Sequence, residues 1–174
     1  MFVFKKMGQV AKGASRWMPR KLMLAAAFVA CAFGGLAIGI AWATPSVGLT
    51  TTILAGPSAL GEIHIHARSD INDVKIKTEG LSDVWVVQNT ITPGGHTGWH
   101  THPGPSIISV VSGTATEYRS DEPDGVSHAA GTSFVDEGGD HAHIIVNEGD
   151  TDLVLIAVQI LPFGAPRKID VPGP

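Results

Sequence analysis

The chain has 174 residues, 44% of them hydrophobic, with 12 Lys/Arg, 16 Asp/Glu and one cysteine. That length fits one domain with a short appendage, and the apolar content is enough for a packed core. Lys5, Lys6, Lys12, Arg16, Arg20 and Lys21 all precede the first acid, which leaves 6 Lys/Arg against 16 Asp/Glu after Lys21. An acidic domain of this kind repels phosphate backbones, so nucleic acid is set aside as a partner.

Directly after Lys21 an uncharged run, LMLAAAFVACAFGGLAIGIAWA, fills 22–43 and ends in Ala41-Trp42-Ala43. A basic segment, an apolar core and small residues at alternate positions make a secretory signal. The same run is longer than an ordinary signal core and, as an apolar helix, would span the roughly 30 Å of a bilayer's hydrocarbon. Residues 1–43 are therefore read as a signal peptide or a membrane anchor. Both readings put the rest of the chain outside, secreted or held at the cell envelope, with membrane contact through this segment alone. Cys31 lies inside the run, so the exported part has no thiol for a disulfide, and Cys31 itself is read as an apolar filler.

After the export segment, short β-prone runs alternate with Gly, Pro, Asp and Asn, and no window holds a helical period. Strands are expected at 49–54, 63–67 and 74–77 within an N-terminal strand region, 44–82. Further strands are expected at 84–91, 107–111, 114–119, 133–135, 141–146 and 153–161, within a core and C-terminal segment spanning 83–174. Gly56-Pro57, Pro93-Gly94-Gly95, Pro103-Gly104-Pro105, Pro123-Asp124-Gly125 and Glu137-Gly138-Gly139 are the predicted breaks. Many short strands at this spacing predict an all-β sandwich or barrel.

Two of these stretches carry histidines where a plain sandwich has aliphatics. Residues i and i+2 of a strand share a face, so His100 points with His102, and His141 with His143. Two such pairs on the inward faces of neighbouring strands would converge on one ion.

The stretch PGGHTGWHTHPGPSIISVVSG, 93–113, resembles the first motif of the cupin superfamily. Gly94, His100, His102 and Gly113 match it, and Ser106 stands where that family has a glutamate. The stretch 131–147 resembles the second motif, with His143 four residues before Asn147. It departs from the pattern in having Glu137 for the usual proline and one extra residue between Gly139 and His143. The resemblance extends over 84–162 and implies a single jelly-roll barrel, here preceded by the N-terminal apolar helix, with a metal inside.

That resemblance implies His100, His102 and His143 as ligands of a divalent transition metal. His141 is either a fourth ligand or a residue at the mouth of the site. Imidazole suits Fe, Zn, Ni and Cu, with Mn also within the family's range, and export argues against easily lost Fe(II). Without the glutamate a bound ion keeps more positive charge, which favours Lewis-acid action or an anionic ligand. Ser106 is too short to replace a carboxylate, but it joins Gln88, Tyr118 and Gln159 as a candidate for the substrate pocket. Of these Gln159 is the strongest, since an amide within so apolar a run needs buried partners. His64 and His66 are read as the solvated face of an edge strand, His96 as a loop residue, and neither they nor His128 as ligands. Trp99 alternates with His100 and is read as packing.

Two functions are open on these grounds. One is a small-molecule metalloenzyme, dioxygenase-like by resemblance, with no separate catalytic residue assigned beyond the weak acid-base candidate Glu137. The other is a non-catalytic cupin that binds or senses a metal or small ligand. Family members often pair through edge strands, so a homodimer through 63–67 or 74–77 is a further expectation from the resemblance.

Overall fold

The computed structural model describes residues 43–174. The apolar helix expected in the export segment, and Cys31, lie outside the described residues. Twelve strands follow one another: β1 (Val47–Leu60), β2 (His64–Arg68), β3 (Asp73–Lys77), β4 (Ser82–His96), β5 (His100–Thr101), β6 (Ser106–Ser112), β7 (Thr114–Arg119), β8 (Glu122–Ala129), β9 (Ser133–Asp136), β10 (His143–Val146), β11 (Leu153–Pro162) and β12 (Ile169–Asp170). Ten of them form one antiparallel sheet in the order β12-β5-β10-β4-β11-β6-β9, with β1 added to β4, β7 to β10 and β8 to β7. β2 and β3 make a separate hairpin. The large sheet curls into the expected all-β, barrel-like architecture.

Period-two alternation builds the interior. Along β11, Leu153, Leu155, Ala157, Gln159 and Leu161 are buried, and the residues between them are half-buried. β11 pairs with β4 on one side and β6 on the other, so its inward face meets Val87 and Ile91 from β4 and Ile108 and Val110 from β6. Ala115 and Ile145 complete the cluster, with Leu49, Trp85 and Phe134 packed against it. Each fully buried aliphatic of this size contributes about 1.5–3 kcal/mol. The many β-branched residues suit a pleated, packed surface.

Three predicted breaks do not break. Gly56-Pro57 lies inside β1, Pro93-Gly94-Gly95 inside β4 and Pro123-Asp124-Gly125 inside β8. β1 and β8 are edge strands, β1 pairing only with β4 and β8 only with β7, where a proline forfeits no ladder hydrogen bond. β1 absorbs the dipeptide in a register shift between Ala55 and Ser58. In β4 the Pro-Gly-Gly stretch falls where the register with β1 shifts, between the pairs Ile91–Leu49 and His96–Val47. The opposite error occurs at 141–146, where the strand begins only at His143. Gly138 and Gly139 both take positive φ, 73° and 72°, and a Cβ on Gly138 would overlap the Gly104 carbonyl oxygen. The chain therefore turns sharply there and is not yet extended when it reaches His141.

Asn147 closes the end of the barrel behind β10. It is 0% exposed, and its Nδ2 donates to the carbonyls of Ile91 and Thr151, each at 2.8 Å. Its Oδ1 accepts the Gly149 N–H at 3.1 Å. One side chain thus satisfies three backbone groups, one in β4 and two in the turn between β10 and β11. Asn147→Ala is expected to lower unfolding free energy by about 3–5 kcal/mol, because it orphans buried polar groups as well as removing bonds. Urea denaturation measures this, and a loss below about 1 kcal/mol would show that the clamp is dispensable.

Candidate metal centre

His100 belongs to β5, His102 follows it by two residues, and His143 opens β10 directly opposite His100. Residues directly opposed in an antiparallel pair project to the same face, and so do residues two apart. The three imidazoles therefore meet inside the barrel. Their ring centroids are 4.3 Å apart for His100–His143, 4.8 Å for His100–His102 and 5.5 Å for His102–His143. All three are buried, at 4%, 7% and 2% exposure.

Backbone carbonyls fix two of the tautomers. His100 Nδ1 donates to the Gly98 carbonyl at 2.8 Å, and His102 Nδ1 donates to the Arg167 carbonyl. Each of these rings is left with Nε2 as an acceptor. Neither nitrogen of His143 has a hydrogen-bond partner. Burial, reinforced by the neighbouring His143 and His102, drives the His100 imidazole down to about 2. Burial likewise lowers His102 and His143, although the Arg167 carbonyl partly opposes it at His102 and Asp136 at both. The result is three neutral imidazoles whose lone pairs face one another.

This donor set fits a divalent transition metal. One ligand atom from each histidine lies within 4.8 Å of the others. Atoms bound to one ion at about 2.0–2.1 Å are themselves roughly 3–4 Å apart, so closing on an ion takes less than about 1 Å of movement. His143 gives a further sign, since in the neutral ring one nitrogen must present a lone pair and no donor meets it, which is unfavourable in the interior unless a cation does.

A cavity of about 50 Å³ opens beside the cluster. Leu49, Ile108, Ile145, Leu155 and Ala157 form its apolar wall. Its polar side holds Ser106 and Gln159 together with Asn89, Arg167 and Lys168, which sequence reasoning did not find. Arg167 Nη1 donates to Gln159 Oε1 at 3.1 Å, and Gln159 Nε2 donates to Ser106 Oγ at 3.2 Å. Arg167 also lies over the Trp85 ring, 5.7 Å from its centroid. Asp136, another residue not anticipated, is buried next to His102 and His143.

Three expected site residues are elsewhere. His141 is exposed, with Nδ1 3.9 Å from Asp121 Oδ2, because the strand whose alternation would have aligned it with His143 does not extend back to it. Gln88 has the opposite parity to the inward Val87 and Asn89, and its Nε2 reaches Thr90 Oγ1 at 3.5 Å. Tyr118 turns outward and donates to Glu148 Oε1 at 2.7 Å, a hydrogen bond that holds the phenol above its ordinary pKa. Among the other histidines, His66 pairs with Asp73 at 2.8 Å on the exposed hairpin, and His96 Nδ1 accepts the Gly98 N–H at 3.1 Å. His128 stacks on Phe134 with ring centroids 3.9 Å apart.

The depressed imidazoles give metal-free protein a definite pH dependence. Above about pH 6.5 they are neutral whether the chain is folded or not; below it the unfolded chain takes up protons that the folded chain refuses. Stability is therefore lost as pH falls, by up to about 1.4 kcal/mol per pH unit for each imidazole. Urea unfolding at pH 7.5 and 5.5 is expected to show this loss, and His100→Gln to reduce it. Equal stability at the two pH values would overturn the neutral-cluster assignment.

No family model matches the chain, and no curated protein matches it in sequence. Solved structures do share its architecture. The polyketide cyclase RemF from Streptomyces resistomycificus aligns over 74% of this chain and 75% of its own, with a TM-score of 0.52 at 15% identity. A cupin superfamily protein from Desulfitobacterium hafniense aligns over 65% and 77%, with a TM-score of 0.43 at 11% identity. A cupin domain from Bordetella pertussis aligns over 60% and 98%, with a TM-score of 0.40 at 22% identity. At these identities the similarity concerns the fold. With its strand order and inward alternation, the described part of this chain is a cupin-like jelly roll.

Proposed function

We propose that the domain holds a divalent transition metal through His100, His102 and His143 and presents it to a small anionic molecule in the adjoining cavity. The observation that carries this reading is the convergence of three buried, neutral imidazoles, two of them with tautomers set by backbone carbonyls. Fe, Zn, Mn, Ni and Cu are the candidate ions. When bound, such an ion supplies Lewis-acid or redox chemistry at the coordination positions the histidines leave open.

The residues around it define the ligand's size and charge. A water molecule needs about 10–15 Å³ of such space, so a cavity of about 50 Å³ holds a molecule of only a few heavy atoms. Cyclase activity is not carried over from the structural neighbour. Arg167 pairs with no carboxylate among the described residues, whereas Lys168 Nζ is held by Asp170 Oδ1. Arg167, steadied by Gln159, is the group that orients a carboxylate. The apolar wall excludes water from that contact and strengthens it.

In its enzymatic form this reading is a dioxygenase-like oxidation of a small acid. The cavity lining contains no Asp or Glu, so no separate general acid or base stands over the ligand. That same observation favours the second reading, a carrier or sensor that binds the metal and a small acid without turnover. In both readings the N-terminal segment exports the domain and either leaves it secreted or anchors it at the envelope.

Elemental analysis of the purified full chain is expected to find about one transition-metal ion per chain, and the double change His100→Ala with His143→Ala to abolish it. Metal-free wild type, with stability unaltered by those substitutions, would sink the reading. On metal-loaded protein, Arg167→Gln is expected to weaken binding of two- to four-carbon carboxylates by about tenfold or more while metal content stays the same. Calorimetric titration reads this, and unchanged affinity would remove Arg167 from ligand recognition.

A further inference from the structure

Asp136 ends β9 with 4% exposure, and its two carboxylate oxygens have different surroundings. Oδ1 accepts the Gly138 N–H at 3.0 Å and lies 3.8 Å from His143 Nδ1. Oδ2 has no hydrogen-bond partner and lies 3.5 Å from His102 Nε2. His102 gives its Nδ1 proton to the Arg167 carbonyl, so the nitrogen facing Asp136 presents a lone pair. Gln159 Nε2 lies 3.3 Å from that Nδ1 but finds no lone pair there, since Nδ1 carries the proton given to the Arg167 carbonyl, and donates to Ser106 Oγ. Two acceptors thus face each other in a dry interior. The arrangement is repulsive by itself and becomes attractive when a cation sits between them.

Strand register explains why this carboxylate lies there. Asp136 is paired directly with Ser106 across β9 and β6, so the two project to the same side of the sheet. Ser106 occupies the position where the cupin pattern has glutamate, and its hydroxyl is taken by Gln159. The acid absent from β6 is present one strand over. Gly138, unable to carry a Cβ against the Gly104 carbonyl, holds the turn whose N–H fixes Oδ1 and leaves Oδ2 free.

We infer that Asp136 Oδ2 is the carboxylate ligand of the metal centre, acting with His100, His102 and His143 in place of a glutamate on β6. The inference rests on the metal-binding reading above. Such a ligand would neutralise one of the ion's charges, while Arg167 keeps the cavity attractive to an anion.

Co²⁺ titration of the full chain, followed by visible absorption, tests this. Asp136→Asn is expected to weaken Co²⁺ binding by about 100-fold or more, beyond the roughly 10–100-fold of a lost outer-sphere partner, and to change the absorption bands. Adding Ser106→Glu to that variant is expected to recover at least about tenfold of the affinity by supplying a carboxylate from β6. Melting gives an independent sign. Without metal, Asp136→Asn is expected to melt a few degrees above wild type, since an unpaired buried charge is gone; in excess Co²⁺ it is expected to melt below it. Wild-type affinity and bands in the variant would overturn the inference. So would a tenfold loss with unchanged bands, which makes Asp136 an orienting residue only. Failure of wild type itself to take up Co²⁺ would overturn the metal-binding reading, and this inference with it.

Discussion

β5 is two residues long, far too short to persist as an independent strand, yet it carries His100 and sets the direction of His102. It is held from both sides. On one flank His100 pairs with His143 of β10, and on the other Thr101 and His100 pair with Ile169 and Asp170 of β12. The Gly139 N–H reaches the His102 carbonyl at 2.7 Å, and the Val171 N–H reaches the Trp99 carbonyl at 3.0 Å. The three-histidine cluster thus depends on this short ladder, and the ladder depends on the C-terminal segment folding back across the barrel. That segment also supplies the carbonyl that sets the His102 tautomer and the guanidinium that faces the cavity. Position, protonation and charge at the site are consequently coupled through one stretch of chain.

Charge at the site has the opposite sign to the domain as a whole. After Lys21 there are 6 Lys/Arg against 16 Asp/Glu, which at long range repels a small anion. That repulsion is screened over about 8 Å at physiological ionic strength. In the proposed function the guanidinium of Arg167, partly desolvated, would act on an anion over a few ångströms through a medium of much lower dielectric than water. The local term decides. Under that function the acidic exterior would lower the rate at which anions arrive more than their affinity once bound.

What was legible in the sequence follows from which physical rules are local. The inward pairing of His100 with His102 comes from strand period and motif spacing, and Gln159 was picked out because an amide within Val-Leu-Ile-Ala-Val-Gln-Ile-Leu has only buried surroundings to face. Gln88 and Tyr118 failed on the same rule, because a strand's period does not say which of its two faces is inside; Asn89, one residue along, is the one that lines the cavity. His141 failed because two glycines at positive φ delay the start of β10. The prolines in β1 and β8 were misread as breaks because edge position is a property of the assembled sheet. Asp136 required the β6–β9 register, and Arg167, in an irregular tail after Pro166, offered no periodic signal at all.

The serine at 106 is better understood as one half of an exchange than as a missing ligand. Its hydroxyl accepts from Gln159 Nε2, which turns Gln159 Oε1 toward Arg167 and sets the guanidinium at the cavity. A glutamate there would offer Arg167 a nearby carboxylate and occupy the space where a small acid is to bind. It would thereby neutralise the cation that distinguishes this pocket. Moving the carboxylate to Asp136 keeps a negative charge next to the imidazoles without placing it among the cavity-lining residues. On the proposed function and the Asp136 inference, one strand would serve recognition of an anion and its neighbour the metal, and the pairing of Ser106 with Asp136 would hold the two roles in register.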